Sequence, residues 1–316
     1  WNWQLVGLIG IGLVTFLSYL YSNNQFDSFW GNNNIPSDSL LTMIIYSLFS
    51  FLLIQVIKTE EDLKHFNIIL ILSAFLGGVY GIVQHYGYDP VDWWGYSQMR
   101  NNAYGAIGQA VGYATILGAV FPLILMIYLS KTSNALKNIL LATILTVLLG
   151  IMFSGSRMPM VLTIALSLLV CIVYRFKVRT KEATKKVIGF LVVLVLSQVI
   201  YYGQSSDNAL THKLKPNVVS SGLGERIQVW EDAVKIWQKY PILGSGPETF
   251  ALELKLANTK DFNSNQNWGL YWHKAHNHLF HFLATTGIVG LLSYLLFAGF
   301  IFYSIFKDFI ITPLFY

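Results

Sequence analysis

AIGQAVGYATILGAVFPLILMIYLS, residues 106–130, runs twenty-five positions without an Asp, Glu, Lys or Arg. As a helix it would extend about 37 Å, more than the roughly 30 Å of a bilayer's hydrocarbon core. A soluble helix of that length carries a polar stripe, and this one is apolar on every face. Working outward, seven more stretches share this character: about 3–21, 39–57, 67–85, 136–153, 158–174, 187–202 and 279–306. The fold class that follows is all-α, a polytopic integral membrane helix bundle with about eight spans. The first stretch has no small-residue cleavage site after its apolar core, so it reads as a span and not as a signal peptide.

Composition agrees. Apolar residues make up 54% of the 316 and charged residues 12%, whereas a soluble domain has about 45–50% and about 25%. So little charge cannot cover a soluble globule of this size, and nucleic-acid binding, disorder and collagen drop out as classes. Cys171 is the single cysteine, inside an apolar run, so no intrachain disulfide can form. The chain opens on Trp1 and closes on the apolar Phe309-Ile310-Ile311 stretch, which leads to the expectation that both ends are cut from a longer polypeptide.

The loops alternate in basic content. Lys58, Lys64, Lys131, Lys137, the six basic residues of 175–186 and Lys307 fall on one side, eleven in all. The short loops of the other side carry two, Arg100 and Arg157. The positive-inside rule places the first set, and with it both ends of this segment, in the cytoplasm. The expected organisation is spans one to seven within 1–202, an extracytoplasmic catalytic loop at 203–278, and a last span with a cytoplasmic end at 279–316. The net charge of +5 is then mostly orientation.

The external segment contains the candidate chemistry. Ile227, Trp230, Val234 and Trp237 recur at helical spacing, which predicts an amphipathic helix over 225–239 that lies on the membrane surface and is stopped by Pro241. Gly244-Ser245-Gly246-Pro247-Glu248 reads as a tight turn. It lacks the third glycine and preceding strand of a dinucleotide site. His276 and Asn277 stand just before the last span. A neutral imidazole there can take a proton from a hydroxyl, although a histidine at an interface also serves simply as an amphipathic side chain. His273, His276, His278 and His281 raise a metal site as an alternative, but 276 and 278 would point apart on a helix and no cysteine is near. Arg157, after Ser154-Gly155-Ser156, and Arg226, expected at the start of the amphipathic helix, are external arginines that no charge rule requires. A guanidinium is suited to bidentate phosphate binding; the plainer readings are snorkelling to headgroups and a solvated surface position. A cation at a helix start opposes the dipole, which suggests another task for Arg226. Asp89, Asp92, Trp93, Trp94 and Arg100 form another external loop, where tryptophan either faces a sugar or anchors the interface.

In order along the chain, these motifs resemble the O-antigen ligase and polymerase superfamily. The likeness rests on Ser154-Gly155-Ser156-Arg157 heading a span, Arg226 and Trp230, and Pro241-Ile242-Leu243-Gly244-Ser245-Gly246-Pro247-Glu248-Thr249-Phe250. It continues in Ala275-His276-Asn277, Leu279 and Gly287-Ile288-Val289-Gly290. Lys58-Thr59-Glu60-Glu61-Asp62-Leu63, Gln84-His85-Tyr86-Gly87 and Gly108-Gln109 are also similar, so it covers roughly 55–300. Members usually have more spans, and often Gly-Asn where this chain has Gly108-Gln109. The resemblance implies a bacterial plasma (inner) membrane glycosyltransferase with an extracytoplasmic site. It would move a glycan from an undecaprenyl-pyrophosphate donor to a glycan, lipid or protein acceptor, with no cofactor and no metal. By the resemblance His276 is catalytic and Arg157 and Arg226 bind pyrophosphate, with Asn277, Arg100, His273 and Glu248 as supporting candidates. The competing reading is a polysaccharide or lipid transporter or flippase without chemistry. Against it, no charged residue lies at mid-span, where ion-coupled transporters keep them.

Overall fold

The computed structural model describes residues 3–31, 38–89, 91, 102–130, 133–203, 216–257 and 272–311. Among the described residues every regular element is helical. The order is α1 (Trp3–Leu20), α2 (Gln25–Trp30), α3 (Leu40–Val56), α4 (Glu60–His85), α5 (Ala110–Leu129) and α6 (Asn134–Phe153). Then follow α7 (Arg157–Lys177), α8 (Lys181–Gly203), α9 (Pro216–Lys239), α10 (Phe250–Ala257) and α11 (His278–Ile311). Helices α4 to α8 and the His278–Ser304 part of α11 are long and apolar enough to cross a membrane, and Val6–Leu20 and Leu40–Val56 are shorter apolar helices. Each apolar stretch of the sequence is thus a helix, and the chain is a multi-pass membrane protein. It divides into two units, Trp1–Val56 with Lys215–Pro313, and Ile57–Leu214 with Leu314–Tyr316.

In the second unit α6 is the central helix, packed on α4, α5 and α8. Val147, Leu148, Ile151 and Phe153 are buried there with Phe121, Ile124 and Leu125 of α5 and Phe190 of α8. Contact between α4 and α6 is close because Gly78 has no side chain, and a Cβ there would lie 2.8 Å from the Thr146 carbonyl. Membrane helices pack by such small-residue contacts, since lipid gives apolar surfaces no preference for one another. The buried Lys186 of α8 donates to the Leu129 and Ser130 carbonyls at the end of α5, where a cation offsets the helix dipole and satisfies orphan acceptors. Helix α4 begins seven residues before the expected 67. The charges at 60–64 lie outside the apolar stretch but do not prevent helix: Thr59 and Asp62 form a reciprocal capping box, and three carboxylates occupy the first turn.

In the first unit α11 packs on α1 and α9. It is broken at Gly287, with φ 68° and ψ −168° inside the helix. The break frees backbone groups that hydrocarbon cannot satisfy. The 241–246 turn supplies their partners. The Ser245 amide donates to the Ala284 carbonyl at 3.0 Å and the Gly246 amide to Thr285 at 2.9 Å, while Ile288 donates to the Pro241 carbonyl at 3.0 Å and Val289 to Ile242 at 3.3 Å. Ser18 of α1 adds a hydroxyl to the Thr285 carbonyl at 2.9 Å. The turn expected at Gly244-Ser245-Gly246 therefore exists, and its partner is the broken helix.

Helix α9 starts at Pro216, nine residues before the expected 225, and its buried face differs from the expected one. Val229, Ala233 and Ile236 are buried with Phe250 and Leu254 of α10, whereas Ile227 is 49% exposed. The tryptophans occupy the rim because each indole N–H needs an acceptor: Trp230 Nε1 donates to the Ala275 carbonyl at 2.9 Å and Trp237 Nε1 to Pro241 at 3.1 Å.

Gly287→Ala should cost more than about 2 kcal/mol, since it combines a left-handed conformation with a Cβ placed 2.2 Å from the Ile242 carbonyl oxygen. Gly299→Ala, where a Cβ meets nothing within 4 Å, should be neutral or slightly stabilising. Thermal unfolding of both variants in detergent checks the contrast; equal melting temperatures would contradict it.

Candidate active site

His276 is built into a short connection between Trp272 and the start of α11. Its backbone is left-handed, with φ 51°, a conformation that costs a non-glycine residue about 1–3 kcal/mol and persists only where its surroundings fix it. Its neighbours do so. The buried Ala275 carbonyl is held by Trp230, whose ring stacks on Phe280 at 5.4 Å. Asn277 caps α11, with Oδ1 accepting from the Leu279 amide at 3.0 Å and from Phe280 at 3.4 Å. The Trp272 ring meets the imidazole edge-on at 4.9 Å. The His276 side chain itself remains accessible.

This imidazole is held below its ordinary pKa. Desolvation by the surrounding protein is the largest cause, followed by the positive charge of Arg226 and then by His281 and Lys274. His276 is thus neutral at physiological pH, the form a general base requires.

A second group of charges lies beside this segment. Asp38 Oδ2 is 2.8 Å from Lys274 Nζ and 3.2 Å from His281 Nε2. The Asp38 amide donates to Glu248 Oε1 at 2.6 Å. Glu248 is buried with φ 57°, and burial raises its carboxyl pKa even though the Asp38 amide opposes the shift. Asp38 lies well below the usual carboxylate range: burial pushes it up, but the close approach of His281 and Lys274 outweighs that.

In the other unit, Arg157 is the first residue of α7 and half-buried. The preceding turn is tight: Gly155 is left-handed at φ 66°, and the Ser154 hydroxyl donates to the Ile151 carbonyl at 2.6 Å while accepting from the Ser156 amide at 3.1 Å. Phe153 stacks flat on His85 at 3.8 Å and accepts the Ala103 amide at 2.8 Å. Gln84 and Asp89 order the same end. Gln84 Oε1 accepts the Tyr104 and Gly105 amides, and Asp89 accepts from Tyr80, Gln84 and Tyr104 hydrogen-bond donors at 2.7–2.9 Å.

Residues 141–295 match the family model described as O-antigen ligase. Over that segment, just under half of the chain, the sequence is similar to the O-antigen ligase family. The matched segment contains the Ser154–Arg157 turn, Arg226, Trp230, the 241–249 turn and His276. No curated protein matches the chain.

The structure brings His276, Asn277, Arg226, Glu248 and His273 into one unit and places Arg157 in the other. Arg100 and the Asp92–Trp94 part of the aromatic loop lie outside the described residues. One reading changes. Arg226 does not start a helix: α9 begins ten residues earlier, so the unfavourable-dipole argument fails there and applies instead to Arg157, at the first position of α7. The four histidines also have separate surroundings. His278 packs on Phe282 and Tyr294, His281 pairs with Asp38, and His276 meets Trp272. Among the described residues no three His, Cys, Asp or Glu side chains are grouped to hold a metal ion. Asp38 and Lys274 were not singled out from the sequence; the available signal was an acid in a loop without basic residues.

The His276 imidazole should titrate below 6.5, its ordinary value. Protonation then proceeds only as the pH falls through the lowered pKa. Arg226→Ala removes a positive charge that opposes protonation, so the pKa should rise. Residue-resolved carbethoxylation by diethyl pyrocarbonate against pH measures both. An unchanged or lower value in Arg226→Ala would refute the coupling.

Proposed function

We propose that the protein is a metal-independent glycosyltransferase that moves a glycan from undecaprenyl pyrophosphate to an acceptor hydroxyl at the outer face of the bacterial plasma membrane. The observation that carries this reading is His276: a strained, externally braced, accessible imidazole kept neutral beside an arginine. The match of residues 141–295 to the O-antigen ligase family supports the glycan-processing part. The basic loops support the orientation, with both ends of this segment in the cytoplasm and 203–278 outside.

In the proposed step His276 accepts the acceptor hydroxyl proton. The acceptor oxygen forms a bond to the anomeric carbon as the bond to the pyrophosphate oxygen breaks, and that electron pair leaves with undecaprenyl pyrophosphate. A single displacement inverts the anomeric carbon. The pyrophosphate gains one negative charge, and guanidinium groups placed against it stabilise that charge. Arg226 and Arg157 have that role in this reading, and a lipid-borne donor accounts for a base at the head of a membrane span. The acceptor class, glycan, lipid or protein, follows from whichever hydroxyl is presented.

His276→Ala, Arg157→Ala and Arg226→Ala should each lower transfer from a pyrophosphate-linked glycan donor by about 100-fold or more, with wild-type melting temperatures in detergent. Chelator should leave the wild-type rate unchanged. Full transfer by His276→Ala overturns the reading, chelator sensitivity overturns its metal independence, and glycan flux in proteoliposomes without bond transfer favours a transporter.

A further inference from the structure

We propose that Asp38 is a positioning residue for His276, acting through Lys274 and His281; this rests on the reading of His276 as the base. The segment from Lys274 to His281 is tied by its backbone at Ala275, through Trp230, and at Asn277, whose carbonyl accepts the His281 amide at 2.9 Å and whose side chain caps α11. Those bonds fix its middle. Its two ends are fixed by one atom: Asp38 Oδ2, 2.8 Å from Lys274 Nζ and 3.2 Å from His281 Nε2. Asp38 comes from a distant part of the sequence, just before α3, and its own amide is anchored on the buried Glu248.

Lys274 and Asp38 form an ion pair, and His281 Nε2 lies within reach of the same carboxylate oxygen. Neither His281 nitrogen nor Asp38 Oδ2 makes a hydrogen bond of standard geometry among the described residues. The His281 side chain is 6% exposed, and the Asp38 carboxylate lies within reach of that ring. Asp38 and Lys274 are only part-buried, at 20% and 38% side-chain exposure, and such an arrangement is poorly explained as a source of stability, because desolvation and solvent screening offset most of the attraction. It is well explained as a device that fixes a geometry. The geometry it fixes here is the left-handed His276, two residues after Lys274 and five before His281. A misplacement of about 1 Å at a reacting group costs on the order of 100-fold in rate. Lost bracing at His276 should therefore appear in turnover before it appears in donor affinity.

The test uses the full chain in proteoliposomes, with Asp38→Asn, Asp38→Glu and Lys274→Ala. Asp38→Asn should reduce kcat by about 10- to 100-fold with the donor KM within about twofold, and Asp38→Glu should recover part of the loss. Lys274→Ala breaks one arm only and should give a smaller loss, which keeps the proposal open to refutation if Asp38→Asn does not fold. In a His276→Ala background, Asp38→Asn should have no further effect on the residual rate. Independently of turnover, carbethoxylation of His276 should change severalfold in Asp38→Asn and return toward wild type in Asp38→Glu, with exposed His65 as an unchanged internal reference. Wild-type kcat and wild-type His276 reactivity in Asp38→Asn would overturn the proposal, as would an additive loss in the His276→Ala background. If the wild type transfers no glycan while the reactivity changes appear, the transfer reading fails and the positioning of His276 by Asp38 stands.

Discussion

The first unit depends on one constraint: a helix broken inside an apolar span must have its freed backbone groups satisfied by protein. An unpaired amide or carbonyl in hydrocarbon costs several kcal/mol. At Gly287 the carbonyls of Ala284 and Thr285 and the amides of Ile288 and Val289 are met by the turn at 241–246, with Ser18 as a further donor. That requirement fixes more than the turn. Gly244 is left-handed, and a Cβ there would lie 2.2 Å from the Thr285 carbonyl carbon, so the two backbones touch without intervening side chains. Pro247 and Glu248 follow directly, then the Ser245–Thr249 hydroxyl pair and the start of α10. Glu248 in turn holds the amide of Asp38. The break in α11 is thus linked by hydrogen bonds and ion pairs to the segment that carries His276.

Charge is sparse in this molecule, and two of its carboxylates join separate elements. Glu253 of α10 is buried and receives Asn23 Nδ2 at 2.7 Å, Lys239 Nζ at 3.2 Å and Tyr240 at 3.4 Å, gathering the end of α1, the end of α9 and α10 at one carboxylate. Asp38 does the same for the approach to α3 and both sides of His276. Neither set is best understood as stabilisation, since its lysine stays largely in solvent while its carboxylate loses hydration. Both specify which segments meet, in a region whose apolar surfaces have little preference for one another in lipid.

How much of this could be read in advance depends on the range of the interaction. The spans were legible because apolar content is local, and the largest shift among them, seven residues at the start of α4, comes where Thr59 and Asp62 cap the helix. The turn at 244–246 was legible as a turn, but its partner is about forty residues away at Gly287 and its purpose was not. His276 was legible by position and resemblance, and its left-handed backbone was not. Arg226 was noticed for a reason the structure removes, since α9 runs well ahead of it. Asp38 was invisible because nothing local distinguishes it: its partners lie more than two hundred residues away.

Arg226 gains a different significance from this comparison. Its charge is the second-largest cause of the lowered His276 pKa, after desolvation. In the proposed reaction the same guanidinium faces the donor pyrophosphate. A bound dianion would offset the field that Arg226 exerts on the imidazole, so His276 would become a stronger base when donor is in place. Before donor arrives the imidazole stays neutral and ready to accept a proton. Once it arrives the cation stabilises the leaving group, and its opposition to protonation of His276 falls. A lysine there would offer a single point of charge; a guanidinium can keep a bidentate grip on phosphate while remaining charged throughout.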